Sequence, residues 1–394
     1  MQYVGIDIGS EKHCVAIVDD EGKVLRKPTT FTEDDEGYAK LLEMLGDSGL
    51  TMVAMEATGC YWKNLFAALA ARGYGVALLN PSRTASFAAE EMRRTKTDAL
   101  DALSIARFAA QKKPAVTRLA DEATDELREL VRHRDRLSQQ FGDRTRQLHR
   151  LVFLGFPELR AVLKSLDTEL ATCLLRNFPT AAAFREASEG QIANLRYDQR
   201  HFVGRALAKE LRAAAATSVG AHHGHAYRLQ VEHACEDMDL LRRRIRMLDR
   251  DIEQLLDKHE VGKLLTTIPG IGPHTAARLV ATFGDFSGFP DAAAIASFVG
   301  VVPAHRHSGK RTPLHAGLTH YGNAKLRTKL WMPTLAAVQK NPWLRAYYEG
   351  LVARGKLKKV ALVASMRKLL GAVFSVAKNR KPFIPQLPPK TAAA

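Results

Sequence analysis

The sequence has few cysteines and no long apolar run. Its 394 residues include four cysteines, Cys14, Cys60, Cys173 and Cys235, and no Cys-x-x-Cys pair. This pattern argues against both a zinc site and a disulfide framework. No stretch of 18 or more apolar residues occurs, and the N-terminus lacks a signal-peptide pattern. We therefore expect a cytoplasmic, nucleoid-associated protein with no membrane partner.

Acidic residues are almost missing from the segment between Pro303 and Pro382. The segment has 17 Lys or Arg residues against one acid, Glu349, so it alone accounts for the formal net charge of +16. Charge concentrated in this way is typical of proteins that bind a polyanion, most often nucleic acid. The alternative is a solvated basic surface that only keeps the protein soluble.

An acid stands inside the first apolar segment of the chain. Residues Tyr3–Asp19 have the pattern of two short strands joined by a turn, and Asp7 lies in the first strand between Ile6 and Ile8. Burying a carboxylate there is costly unless a cation or a donor accompanies it. A metal ion is the usual companion.

Three further acids are predicted to converge on Asp7. Glu56 ends an apolar strand predicted over residues 51–57. Asp98 and Asp101 are three residues apart, so they share one face of a predicted helix. Four carboxylates at one edge of a sheet can hold two Mg²⁺ ions roughly 4 Å apart for phosphodiester chemistry, with Mn²⁺ as an alternative ion.

The sequences GIDIGSEKH, MEATG and RTKTDALDA around these acids resemble the DEDD transposases of bacterial insertion sequences. The pattern of strands and helices predicts an α/β domain over residues 1–112 that begins with a three-strand meander. The resemblance implies that this domain is RuvC-like and ribonuclease-H-like. In it, Asp7, Glu56, Asp98 and Asp101 would be catalytic and would bind the metal. The resemblance also implies RNA-guided recombination, with donor DNA, target DNA and a guide (bridge) RNA as partners. It implies a homo-oligomer as well, either a dimer or a dimer of dimers.

Two long amphipathic helices are predicted over residues 121–156 and 227–259. The second has an apolar seam at heptad spacing, formed by Met238, Leu241, Ile245, Leu248, Ile252 and Leu255. We expect residues 121–260 to form a helical coiled-coil region that pairs either within one chain or with another protomer. The many arginines on the other faces suit a nucleic-acid backbone, or else they form salt bridges.

A helix-hairpin-helix pattern is predicted around Gly270 and Gly272, which lie between two apolar helical stretches. Such glycines let the backbone come close to a phosphate, and the next helix offers free N–H groups. The alternative is a hairpin that only packs helices together. We expect residues 261–382 to form a helical C-terminal transposase domain and residues 383–394 to form a disordered tail.

Ser308 lies in a basic loop of this C-terminal region. A Ser-Gly pair alone is an ordinary turn. The DEDD transposases carry a catalytic serine nucleophile in a loop of this layout, which is followed by a Gly-Asn-x-x-Leu-Arg motif. The resemblance therefore implies that Ser308 is catalytic and forms a composite site with the four acids. The expected nucleic-acid contacts are Gly270, Gly272, Arg306, Lys310, Arg311, Asn323, Arg327, Lys356, Lys358 and Lys359.

Two other functions stay open. GIDIGSEKHCVAIVD also resembles the first phosphate loop of actin-like ATPases and kinases. No second glycine-rich phosphate motif follows, however, and the function of such enzymes does not require a basic segment like that between Pro303 and Pro382. The second alternative is a nucleic-acid-binding scaffold, or a junction-resolvase-like, metal-dependent nuclease that forms no covalent intermediate. In both, Ser308 is only structural.

Overall fold

The structure is a computed structural model that describes residues 1–90, 97–118, 121–304, 317–319 and 321–385. Four of the predicted site residues, Arg306, Ser308, Lys310 and Arg311, lie outside the described residues. The chain divides into two units, Met1–Leu119 and Ala120–Ala394.

The first unit is built on a five-stranded mixed sheet. Its strands are β1 Gln2–Asp7, β2 Lys12–Val18, β3 Val24–Thr32, β4 Thr51–Glu56 and β5 Gly75–Leu79. Their order is β3-β2-β1-β4-β5. The first three strands form the predicted antiparallel meander, and β1–β4 and β4–β5 pair in parallel. The predicted α/β architecture is confirmed, and it is compatible with a ribonuclease-H-like domain.

Helices cover both faces of this sheet. They are α1 Asp35–Leu45, α2 Trp62–Ala71, α3 Pro81–Glu90 and α4 Asp98–Lys112. The even-numbered residues of β1, Val4 and Ile6, join a core with α1 and α2, whereas Tyr3 joins a core with α3 and α4. Because side chains alternate along a strand, Asp7 lies on the same face as Tyr3, the face that α3 and α4 cover.

Helix α4 lies directly on β1 at Gly5. A Cβ atom at Gly5 would stand 2.2 Å from the Ala102 carbonyl oxygen and 2.2 Å from the Ala106 nitrogen. Real Cβ atoms do not approach backbone so closely, so only glycine permits this helix–strand distance. Gly5 thereby fixes the position of α4, and with it the position of the acids in its first turn.

We expect Gly5→Ala to destabilise the protein by about 2–4 kcal/mol, because α4 must shift away from the sheet. Gly49→Ala is the matched control, because its new Cβ would meet only the Asp47 carboxylate, at 3.5 Å. Denaturant unfolding of the two variants measures the difference. Equal stability for both would contradict the close packing of α4 on β1.

The second unit is organised by two long antiparallel helices, α5 Glu122–Gly155 and α11, which spans His225–Lys258. Between them lie α6 Leu159–Val162, α7 Glu169–Asn177, α8 Ala181–Glu186, α9 Glu189–Ala193, the strands β6 Arg196–Tyr197 and β7 His201–Phe202, and α10 Arg205–Ala216. These elements pack around the end of α5 and the start of α11.

A second core surrounds the start of α5 and the end of α11. Its helices are α12 Glu260–Leu265, α13 Pro273–Phe283, α14 Ala292–Val299, α15 Ala324–Lys329, α16 Trp331–Lys340, α17 Pro342–Ala353 and α18 Lys358–Asn379. By length and composition α18 could cross a membrane, but 56% of its most apolar window is buried inside the unit. It has the character of a core helix.

The predicted apolar seam of α11 is partly used within the chain. Met238 is buried in the core around the start of α11, and Leu241 is buried as well. Ile252 is buried in the core around the end of α11. Ile245 and Leu248, between these positions, are half-buried. Of the two pairings that the sequence left open, the structure contains the one within the chain, α5 against α11. Pairing with another protomer and a coiled-coil geometry stay predictions.

Candidate active site at the carboxyl ends of β1 and β4

Asp7 and Glu56 end adjacent parallel strands. Ile6 pairs with Met55 in the register of β1 and β4, so the next residues, Asp7 and Glu56, reach the same edge of the sheet. Ala54 of β4 belongs to the core under α3 and α4. By strand alternation, Glu56 therefore lies on the same face as Asp7. The structure thus brings two of the four predicted acids together.

The other two acids stand in the first turn of α4. Thr97 caps this helix by accepting a hydrogen bond from the Leu100 N–H, and Asp98 and Asp101 follow it. Acids are favoured here because the helix dipole places partial positive charge at the N-terminus. Asp98 is exposed and Asp101 is half-buried.

Asp7 and Asp98 both act on the thiol of Cys14. Cys14 lies opposite Asp7 in the β1–β2 pair. Burial raises the pKa of this thiol, and the negative charges of Asp7 and Asp98 raise it further. Both carboxylates are therefore near one side chain, although one is on a strand and the other on a helix.

In the part of the chain that the structure describes, the four acids do not form a complete metal cage. Among the residues that the structure describes, no group of three or more His, Cys, Asp or Glu side chains could hold a metal ion. Mg²⁺ usually keeps several waters and is bound through one or two carboxylates plus substrate phosphates. Carboxylates at adjacent strand ends fit that mode of binding.

His13 stabilises the loop that follows Asp7, a role that sequence reasoning missed. It is 1% exposed; its Nδ1 accepts from the Gly9 N–H at 3.3 Å, and its Nε2 lies 2.6 Å from a Glu33 carboxylate oxygen. Burial opposes ionisation of Glu33, but hydrogen bonds, first that from His13, lower its pKa overall. A histidine six residues after Asp7, at the start of a strand, was the available signal.

The two glycines of the predicted helix-hairpin-helix differ in their surroundings. Gly270, at φ +100°, lies against α16, where a Cβ would stand 2.3 Å from the Ala337 Cα. Gly272 is exposed, with no atom within 4 Å of a Cβ built on it. Gly270 thus packs on α16 and Gly272 is exposed, while contact of either glycine with a phosphate stays a prediction.

Asn323 and Arg327 make hydrogen bonds within the chain. The Asn323 side chain accepts from the Leu326 N–H at 2.9 Å and so caps α15. Arg327 donates to the Val299 carbonyl at 3.0 Å. Contacts of these two residues with nucleic acid stay predictions, while their structural role is to join α14 to α15.

The chain on either side of residues 305–316 is held together by backbone hydrogen bonds. The Ala304 N–H donates to the Gly317 carbonyl at 2.8 Å, and the Thr319 N–H donates to the Val302 carbonyl at 3.1 Å. Gly322, at φ +105°, packs on Gly300, where a Cβ would lie 2.6 Å from the Gly300 nitrogen. Residues 302–304 and 317–319 therefore lie side by side.

Many arginines of the long helices form ion pairs. Arg134 pairs with Asp249, and Arg144 contacts Asp237 at 2.8 Å, so both bridge α5 and α11. Other arginines of these two helices also pair with acids, in Arg128–Asp125, Arg132–Glu129, Arg146–Asp143, Arg242–Asp239 and Arg246–Glu169. Salt bridging, one of the two interpretations of these arginines, accounts for this group. By contrast Lys356, between α17 and α18, and Lys358 and Lys359, at the start of α18, are exposed.

Both ends of the chain match known transposases. Residues 4–157 match the family model for DEDD transposases of IS110, and residues 262–349 match the model described as "Transposase IS116/IS110/IS902 family". Together the two matches span more than half of the chain. The chain belongs to the IS110/IS116 family of transposases. This transposase is therefore a DNA recombination enzyme.

Relatives of this transposase are similar along most of their length. The insertion element IS116 uncharacterized 44.8 kDa protein of Streptomyces clavuligerus is 28% identical over 100% of this chain and 98% of its own. The insertion element IS110 uncharacterized 43.6 kDa protein of Streptomyces coelicolor is 29% identical over 72% and 71%. The pilin gene-inverting protein of Moraxella bovis is 24% identical over 97% of both chains.

Proposed function

We propose that this transposase cuts and rejoins donor and target DNA with four acids, a bound Mg²⁺ or Mn²⁺ and a serine nucleophile. One observation carries the proposal: Asp7 and Glu56 end adjacent strands on the face that α4 covers, and α4 begins with Asp98 and Asp101. Membership of a DEDD transposase family supports these roles.

Asp7, Glu56, Asp98 and Asp101 would hold the ion. When bound, the ion would polarise the phosphate and stabilise the charge that develops on it. Around the ion, the acids fix where the phosphodiester lies. Their negative charge alone would repel DNA, so binding of DNA at this edge depends on positive charge supplied elsewhere.

Ser308 would be the nucleophile, as the family resemblance implies. Its Oγ–P bond forms while the P–O bond to one deoxyribose oxygen breaks. The serine loses its proton and the departing oxygen gains one, which leaves a phosphoserine ester and a free sugar hydroxyl. A hydroxyl of the partner strand then attacks the ester and restores the serine, so rejoining needs no nucleotide hydrolysis. Arg306, Lys310 and Arg311 would stabilise charge on the non-bridging oxygens.

The wider organisation follows the same proposal. Residues 1–112 would be the catalytic acid domain, 121–260 the helical region for oligomer formation, and 261–382 the domain that carries the serine, with 383–394 as a tail. A guide RNA would select the DNA, and a dimer or a dimer of dimers would carry out exchange in the cytoplasm.

A strand-exchange assay tests this function. The transposase, purified from cells that contain its native locus, is mixed with donor and target plasmids, and junctions are quantified by amplification and sequencing. We expect junctions in Mg²⁺, none in EDTA, and none after ribonuclease treatment; RNA that co-purifies is sequenced. Junctions that persist in EDTA would contradict the requirement for a metal ion. Junctions that persist after ribonuclease treatment would contradict the requirement for a guide RNA.

Neutralising Lys356, Lys358 and Lys359 to Gln is expected to weaken DNA binding and to reduce its salt dependence. Removal of one lysine–phosphate pair lowers the slope of log K against log salt by about 0.9 on duplex DNA. Binding measured by fluorescence anisotropy across a salt series gives the slope. The control replaces Lys164, Lys209 and Arg212, which are exposed and lie outside the basic segment 303–382. An unchanged slope in the first variant would show that these lysines do not contact DNA.

A further inference from the structure

The carboxylate of Glu56 has a buried hydroxyl as its partner. Thr84, in α3, is 4% exposed, and its Oγ1 lies 2.5 Å from Glu56 Oε1 and 3.0 Å from the Pro81 carbonyl oxygen. A hydroxyl has a single hydrogen to donate. The ionised carboxylate is the stronger acceptor, so the hydrogen goes chiefly to Glu56.

The fold carries Thr84 to this position. Glu56 pairs with Leu79 in the register of β4 and β5, and the Ala57 N–H donates to the Leu79 carbonyl at 3.0 Å. The chain turns immediately after Leu79, and α3 begins at Pro81. The first turn of α3 therefore lies beside the carboxyl end of β4, where Glu56 stands.

Aromatic packing fixes α3 on α4. Phe87 lies one helical turn beyond Thr84, and its ring meets Phe108 of α4 edge-on, with centroids 5.5 Å apart. Both rings are buried. A threonine on a helix that is held in this way has little freedom, so its hydroxyl can define the orientation of the Glu56 carboxylate.

The usual behaviour of threonine in a helix does not account for this bond. The hydroxyl of Thr334 in α16 returns to the carbonyl of Leu330 at 2.7 Å, four residues earlier. Such back-bonding is ordinary for helical threonine. Thr84 makes the comparable contact with Pro81, but it also meets a carboxylate 28 residues away in the sequence.

We propose that Thr84 is a positioning residue that orients Glu56 for binding the metal. With Oε1 held by the hydroxyl, Oε2 and the second lone pair of Oε1 can face an ion. Partners that orient ligating side chains typically contribute about 10–100-fold to metal affinity. The inference rests on the proposed function, because it takes Glu56 as a metal ligand.

The test titrates Mn²⁺ into the full chain, with and without a DNA duplex. Electron paramagnetic resonance measures the concentration of the free ion at each step. Thr84→Val keeps the shape of the side chain and removes the donor, so we expect it to weaken Mn²⁺ binding by about 10–100-fold. Thr84→Ser keeps the donor, and we expect it to restore binding close to that of the wild type. Thr334→Val, a buried helical threonine that only back-bonds, is the control and should bind normally.

Each outcome decides a different point. Wild-type affinity in Thr84→Val, with Glu56→Gln impaired, would overturn the role of Thr84 and leave the metal site intact. Normal binding by Glu56→Gln, or no saturable binding by the wild type with or without DNA, would overturn the proposed site itself. If Thr84→Val also melts at a lower temperature, the Mn²⁺ affinity of Thr84→Ser decides whether the hydroxyl itself is needed. Restored affinity supports the hydroxyl, and unrestored affinity would overturn its role.

Discussion

Replacement of Asp7 by Asn is expected to reduce DNA strand cleavage by on the order of 10³-fold, while the chain stays folded. Asp7 lies at the end of a central strand, opposite Cys14 and beside the strand that ends at Glu56. The Asn side chain has the same size, so packing under α4 is kept. It removes one negative charge and so weakens the attraction of this edge for a divalent ion.

The control for Asp7→Asn is Asp35→Asn, which makes the same chemical change at an exposed position in the first turn of α1. We expect it to cleave like the wild type. Cleavage is measured on end-labelled DNA in Mg²⁺, and circular dichroism reports on folding. Wild-type cleavage by Asp7→Asn would exclude this carboxylate from the chemistry. Loss of both cleavage and structure would show that Asp7 is needed for the fold instead.

Replacement of Ser308 by Ala is expected to abolish the protein–DNA adduct and all strand exchange. Removing an enzymatic nucleophile can cost about 10⁶-fold in rate, because no other group forms the covalent intermediate. DNA binding should be almost unchanged, since one hydroxyl among many basic residues adds little to the electrostatic attraction.

A nicked substrate that traps the intermediate, analysed on a denaturing gel, measures this effect. Ser297→Ala, an exposed serine in α14, is the matched control and should form the adduct normally. Cutting by Ser308→Ala that leaves a free hydroxyl and a free phosphate end would mean that water is the nucleophile. The enzyme would then resemble a junction resolvase.

The sheet and the edge that carries the acids could be predicted from local patterns. Alternating or continuous apolar residues mark each strand, and carboxyl ends of parallel strands meet at one edge, so Asp7 and Glu56 had to be near each other once β1 and β4 were neighbours. Asp98 and Asp101 follow from helical spacing alone. These inferences need only nearby residues and the rules of sheet geometry.

What the sequence does not reveal depends on residues far apart in the chain. A Pro-Gly-Ile-Gly segment looks the same whether its first glycine meets a phosphate or a helix, and only the fold places Gly270 against Ala337. Likewise, Arg134 and Arg144 of α5 pair with acids of α11 only because the fold places these two helices side by side. The sequence does not distinguish Thr84 from other helical threonines, because its contact with Glu56 depends on the pairing of β4 and β5.

The most direct measurement identifies the atom that holds the cut DNA. The adduct formed on a trapping substrate in Mg²⁺ is digested with protease and nuclease, and the modified peptide is sequenced by mass spectrometry. We predict a nucleotide joined through phosphate to Ser308, formed by the wild type and absent when Mg²⁺ is chelated or Asp7 is replaced by Asn. A nucleotide on any other residue, or cleavage with no linked peptide at all, would contradict the account.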